Sequence, residues 1–116
     1  MSVLDIPVPP SVNRTRRIDR ASISIQEAWE HQCDMWLMAS GQYRSAEKLR
    51  CPFDLEVILN ETMCRRDPDN VLKAPIDYLR RVELIPNDNP TYFRRLVVEW
   101  GDAPRGCRLI LKAHQP

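Results

Sequence analysis

Between Phe53 and Asn60, the residues Phe53, Leu55, Val57 and Leu59 alternate with Asp54, Glu56, Ile58 and Asn60. Successive side chains of an extended chain point to opposite faces, so this two-residue period specifies a strand with one packed face and one largely polar face. The pattern then changes. After Asp67-Pro68-Asp69-Asn70, the apolar residues Val71, Leu72, Ile76, Leu79 and Val82 recur at helical spacing, which predicts a helix beginning near Asp69 or Asn70. Pro75 falls inside that helix and has no N–H to offer Val71, so a kink or a loosened first turn is expected there.

The flanking segments fit the same plan. Val3, Ile6 and Val8, interrupted by prolines, predict a short strand held to the edge of a sheet. The stretch from about 9 to 22 is too polar to pack as a regular element. Ser24-Ile25-Gln26-Glu27 has the capping-box spacing, and Ile25, Ala28, Trp29, Cys33, Trp36 and Leu37 follow on one helical face, with Gly41 as the stop. Tyr92 to Trp100 reads as a strand, and the turn Gly101 to Gly106 is expected to close a hairpin onto a last strand, Cys107 to Ala113. The order βαβαββ, with no repeat and no linker, predicts one α+β domain over residues 1–116. It would be a small mixed sheet of about four strands packed with two helices.

At 116 residues the chain can bury a core but not divide binding and catalysis between modules. No apolar run approaches the roughly 18 residues that span a bilayer, so no membrane association is expected. The first residues lack the basic and apolar regions of a secretory signal, so a cytoplasmic location is expected. Cys33, Cys51, Cys64 and Cys107 form no C-x-x-C pair, and His31 and His114 have no cysteine at ligand spacing, so a zinc centre is not indicated. The net charge is only +1, but its distribution is uneven. Arg14, Arg16, Arg17 and Arg20 cluster around one aspartate, and pairs recur at Arg65-Arg66, Arg80-Arg81 and Arg94-Arg95. Planar guanidinium groups suit bidentate contacts to phosphate, which makes a phosphate backbone a candidate partner.

Asp67 and Asp69 bracket a proline where strand gives way to helix, and Asp88 lies in the next turn, Ile85 to Pro90. Hard carboxylate oxygens without histidine or cysteine suit Mg²⁺ or Mn²⁺, which keep several waters and accept phosphate oxygens in their open positions. Such a site can support phosphodiester hydrolysis. Lys73, four residues after Asp69, shares its helical face and can reach the carboxylates; an exposed ion pair of that spacing is the plainer alternative. Taken alone, Asp-Pro-Asp-Asn is better read as a turn and a helix cap than as a ligand set.

The wider pattern is more specific. Pro9-Pro10-Ser11-Val12-Asn13-Arg14 is similar to the N-terminal P-P-S-x-N-R loop of the RusA family of Holliday junction resolvases, small phage and bacterial endonucleases. Arg66-Asp67-Pro68-Asp69-Asn70-Val71-Leu72-Lys73 resembles the family's R-D-x-D-N-x-x-K, and Asp88 stands at the spacing of its third aspartate. The resemblance implies that Asp67, Asp69 and Asp88 bind Mg²⁺, with Mn²⁺ able to substitute, and that they act with Lys73 in catalysis, Asn70 supporting the ligands from behind. Asn13, Arg14, Arg16, Arg17, Arg65 and Arg66 are the expected DNA-binding residues. It further implies a RusA-like fold and a homodimer that cuts a four-way junction with paired symmetric nicks, in DNA recombination and repair. A two-fold pair is also what two such nicks require when each chain has one acidic cluster. Two departures stand out: Asn87 where some members carry an acidic residue, and Pro75 where good helix formers are usual. Alternatives are a nuclease for flaps or forks in phage DNA processing, and a protein that binds branched DNA without cutting it.

Overall fold

A computed structural model describes residues 1–11 and 20–115 of the chain. Along the sequence it forms strand β1 (Ser2–Pro7), helix α1 (Arg20–Ala39), a short helix α2 (Gln42–Ser45) and strand β2 (Phe53–Leu59). A 3₁₀ turn (Pro68–Val71) then leads into helix α3 (Lys73–Arg81), followed by strands β3 (Phe93–Trp100) and β4 (Gly106–Ala113). The four strands make one mixed sheet in the order β1-β4-β2-β3. Strand β2 runs parallel to β3, while β4 is antiparallel to both β1 and β2. The fold is therefore α+β, with the expected edge position for β1.

The alternation that begins at Phe53 produces the centre of this sheet. Phe53, Leu55, Val57 and Leu59 are all fully buried, and Leu109 and Leu111 of β4 and Leu4 and Ile6 of β1 extend the same apolar layer. Helix α1 covers it with Trp29, Cys33 and Leu37, all buried at four-residue intervals on one helical face. Ile25, expected on that face, is 58% exposed. The Trp29 indole N–H donates to the Pro7 carbonyl at 3.0 Å, tying α1 to the end of β1. The opposite face of the sheet carries a polar ladder: Arg108 pairs with Asp5 at 2.7 Å, Lys112 with Glu56 at 3.5 Å, and His114 Nδ1 with Asp54 at 2.7 Å. Among the described residues no helix is long and apolar enough to cross a membrane.

Three local expectations are corrected. Ser24 to Glu27 does not start a helix: α1 begins at Arg20, so the capping-box spacing lies inside it. Serine and glutamate three apart are one turn of any helix, and upstream residues have extended it. Gly41 does act as the stop, in the left-handed region at φ 75°.

The second correction concerns the last two strands. β3 and β4 form no hairpin, because β2 lies between them. The connecting loop crosses the end of β2 and is pinned there. The Gly101 amide donates to Leu59 O at 3.0 Å, the Asn60 amide to Gly106 O at 3.0 Å, and the Asn60 side chain to Ala103 O at 3.2 Å. Two strand spacings are only about 10 Å, a short span for such a loop. A strand as apolar on one face as β2 gains more from neighbours on both edges than from an edge position.

The third correction is to the start of the second long helix, since α3 begins at Lys73 and not at Asp69 or Asn70. The loosened first turn expected from Pro75 is the 3₁₀ turn just upstream, and Pro75 itself occupies the first turn of α3, where an amide would have no acceptor within the helix.

Candidate active site

The turn that carries the acidic motif is fixed by what it buries. Val71 and Ala74 are fully buried and Pro75 is buried beside them, so the backbone of the 3₁₀ turn lies against the core and its polar side chains face outward. Asp67 stands in the extended cap position at φ −63°, ψ 138°, and its carbonyl accepts the Asn70 amide at 3.0 Å. Asp67 and Asp69 are both exposed and Asn70 is half-buried. One 3₁₀ turn therefore holds the first two candidate ligands and the asparagine expected behind them.

Arg66, immediately before this turn, reaches across the fold. Its guanidinium donates to the Pro9 carbonyl at 3.0 Å, linking residues 57 apart in sequence. The beginning of the Pro-Pro-Ser segment is thereby tied to the acidic motif. Asn13, Arg14, Arg16 and Arg17 lie outside the described residues. Arg65 is exposed next to Arg66.

Lys73 is the first residue of α3 and forms an i,i+4 ion pair with Asp77 at 3.2 Å, while its own side chain is 67% exposed. So open a pair contributes little to stability and leaves the ammonium accessible to another anion. Asp88 lies at the far end of the β2–β3 crossover, in a turn organised by Asn87. The Asn87 side-chain oxygen accepts the amides of Asp88 at 2.7 Å and Asn89 at 3.2 Å. Asn87 thus shapes the backbone that presents Asp88, a role an acidic residue could also fill. The Asp88 carboxylate faces the Arg80 guanidinium at 3.6 Å, both well exposed.

Because β2 and β3 are parallel, the crossover begins beyond the C-terminal end of β2 and finishes before the N-terminal end of β3. Asp67 and Asp69 stand at its start and Asp88 at its finish, with α3, about 14 Å long, between them. Among the described residues, no group of three or more histidine, cysteine, aspartate or glutamate side chains is placed to hold a metal ion. The donor chemistry suits a hard cation, but this conformation does not gather the three carboxylates into one ligand set.

The structure does gather cations. Arg50, Lys73, Asp77, Arg80, Arg81 and Glu83 line an open groove of about 840 Å³ that runs along α3. Its lining carries four cations and two carboxylates, and Asp88, Glu30 and Asp34 from outside it pair with Arg80 and Arg81. Arg81 is committed to Glu30 and Asp34 of α1, whereas Arg50 donates to the backbone carbonyls of Leu49 and Glu83 and keeps its charge for the groove. Arg80 and Arg50 were absent from the residues expected to bind DNA. The Arg80-Arg81 pair was visible as a repeat of basic dipeptides, but Arg50 has no sequence signal, since only the fold brings it beside α3. No protein-family model matches this chain, and no curated protein matches it significantly.

Proposed function

We propose that this chain is a Mg²⁺-dependent, structure-selective endodeoxyribonuclease that resolves four-way DNA junctions as a homodimer, in DNA recombination and repair in the cytoplasm. The observation that carries this reading is the Arg66–Pro9 hydrogen bond. It joins the two separate segments on which the resemblance to RusA resolvases rests. The cation-lined groove beginning at Lys73 supports it independently, because a phosphate backbone can compete for its exposed ion pairs from the acidic turn along α3.

The division of work among the residues follows from their placement. Asp67 and Asp69 offer carboxylate oxygens from one exposed turn, and Lys73 presents a mobile ammonium one helical step away, suited to charge developing on a phosphate oxygen. Arg80 and Arg50 hold the backbone in the groove, with Arg65 near the turn. A bound Mg²⁺ supplies polarisation of the phosphate and acidification of a water. Asp88, at the other end of α3, pairs with Arg80 through an exposed contact weak enough for phosphate to compete for the guanidinium.

The deciding experiment is cleavage of a synthetic four-way junction, with and without Mg²⁺, by wild type and Asp69→Asn. Symmetric nicks that need Mg²⁺, lost in the variant while junction binding persists, are expected. Absence of metal-dependent cutting of any branched substrate by the wild type would refute nuclease function. Preferential cutting of a competing flap would reassign the substrate.

A further inference from the structure

The sheet ends on β3, whose only strand partner is β2, so one edge of an eight-residue strand has no partner strand among the described residues. Register with β2 places Leu96 beside Leu55, Val98 beside Val57 and Trp100 beside Leu59. Adjacent residues of paired strands share a face, so these three continue the core layer. The residues beside them in β2 are fully buried, yet Leu96 is 42% and Trp100 44% exposed. The apolar layer runs past its cover. Arg95, Val97 and Glu99 occupy the opposite face.

The central residues of this strand, Arg95-Leu96-Val97-Val98-Glu99, are complementary to their own reverse about Val97. Antiparallel pairing of two copies with Val97 opposite Val97 sets Arg95 against Glu99 and Leu96 against Val98, beyond the register irregularity at Arg94. Each pair lies on one face: an ion pair and an apolar pair. Other registers lose this match. A shift of two residues in one direction sets Arg95 against Val97, and in the other sets Glu99 against Val97. Parallel in-register pairing places arginine on arginine and glutamate on glutamate.

We propose that the edge of β3 is a docking surface for a second copy of this chain, paired antiparallel about Val97 into one continuous eight-stranded sheet. The two uncovered apolar strips then meet across the two-fold axis. An isologous contact of this kind closes on itself at two copies and leaves no further edge of the same kind, since β1 at the other end is shortened by prolines. The inference gives a location to the homodimer proposed above, but it uses none of the residues assigned to cleavage.

Charge reversal on the exposed face tests it. Wild type should sediment as a dimer at micromolar concentration, Arg95→Glu and Glu99→Arg should each sediment as monomers, and the double reversal should restore the dimer. A folded wild-type monomer, or a dimer indifferent to both reversals, overturns the proposal. Because Arg95 also neighbours Asp54 on β2, a second measurement avoids any folding defect. Opposed residues of antiparallel strands have Cα atoms about 4.5–5.5 Å apart, within disulfide reach. In a Cys51→Ser background, Val97→Cys should therefore form an intermolecular disulfide on diamide treatment, while Glu99→Cys, opposite an arginine, should not. Equal cross-linking of both variants, or of neither, refutes the register. Junction cleavage is scored separately: a dimer that never cuts defeats the nuclease reading alone, and a monomer that cuts defeats this interface and the homodimer while leaving the nuclease chemistry standing.

Discussion

Removing the Asp34 carboxylate should destabilise the domain through a residue on a different element. The Tyr78 hydroxyl on α3 donates to Asp34 Oδ1 at 2.7 Å, and Tyr78 is fully buried. Burial and this bond together push the phenol well above its usual range. Asp34→Ala leaves that hydroxyl in the core without an acceptor, a cost of about 1–3 kcal/mol. The same carboxylate accepts from Arg81 at 2.9 and 3.0 Å, but with the Arg81 side chain 47% exposed and Glu30 still paired to it, this part adds less than about 1 kcal/mol. Tyr78→Phe removes the donor instead and should cost about 1 kcal/mol. In the double variant the phenyl ring needs no acceptor, so the combined loss should fall short of the sum by about 1 kcal/mol or more. Urea unfolding of the four proteins at pH 7 measures the cycle. Losses that add to within about 0.5 kcal/mol would show that Asp34 and Tyr78 are not coupled, contrary to the contact described.

Two further outcomes are expected. Burial pushes the Cys107 thiol up to about 12 and the Cys33 thiol higher still, so the unfolded chain, with thiols near 9, releases these protons first as pH rises. Stability from this source is complete below about pH 9 and declines above it by up to about 1.4 kcal/mol per pH unit per thiol, which urea midpoints between pH 8 and 10 will measure; Cys107→Ala should flatten the decline. At Gly106, φ is 115° and an added Cβ would lie 2.4 Å from Val8 Cγ2, whereas at Gly41, φ is 75° and nothing lies within 4 Å. Gly106→Ala should therefore lower the melting temperature more than Gly41→Ala, which bears only the left-handed cost of about 1–2 kcal/mol; equal losses would contradict the close approach of Val8.

The parts of this fold legible from sequence are those whose side chains report a single face. Phe53 to Leu59 and the 107–113 strand were readable because burial on one side imposes a two-residue period, and the α1 core of Trp29, Cys33 and Leu37 because its spacing is helical. Partner choice was not legible. The Gly101 to Gly106 turn has hairpin composition, but composition sets how a chain reverses, not whether another strand enters between the two arms. The parallel β2–β3 pairing had the same source of error for the site: Asp88 follows the helix in sequence, and only the strand directions place it at the other end of the crossover from Asp67. The contribution of Arg50 depends on a contact between distant segments, which no local pattern encodes.

The position of β4 has a consequence for how this protein is made. It leaves the ribosome after the other three strands of the sheet, yet it separates β1 from β2 and pairs along both, with Ser2 opposite Leu111 and Leu59 opposite Cys107. Until it emerges, β1 has α1 and α2 to pack against but no partner strand. At about 5–20 residues per second, the first strand waits several seconds with its backbone edges unpaired, so the nascent chain depends on holding chaperones longer than a protein built from sequential hairpins. Closing the sheet then joins the two ends of the chain across nearly its full length, which predicts slow, all-or-none folding after release. A frameshift or stop before Gly106 would leave a chain with three of these strands synthesised and only one pairing, β2 with β3, available to them.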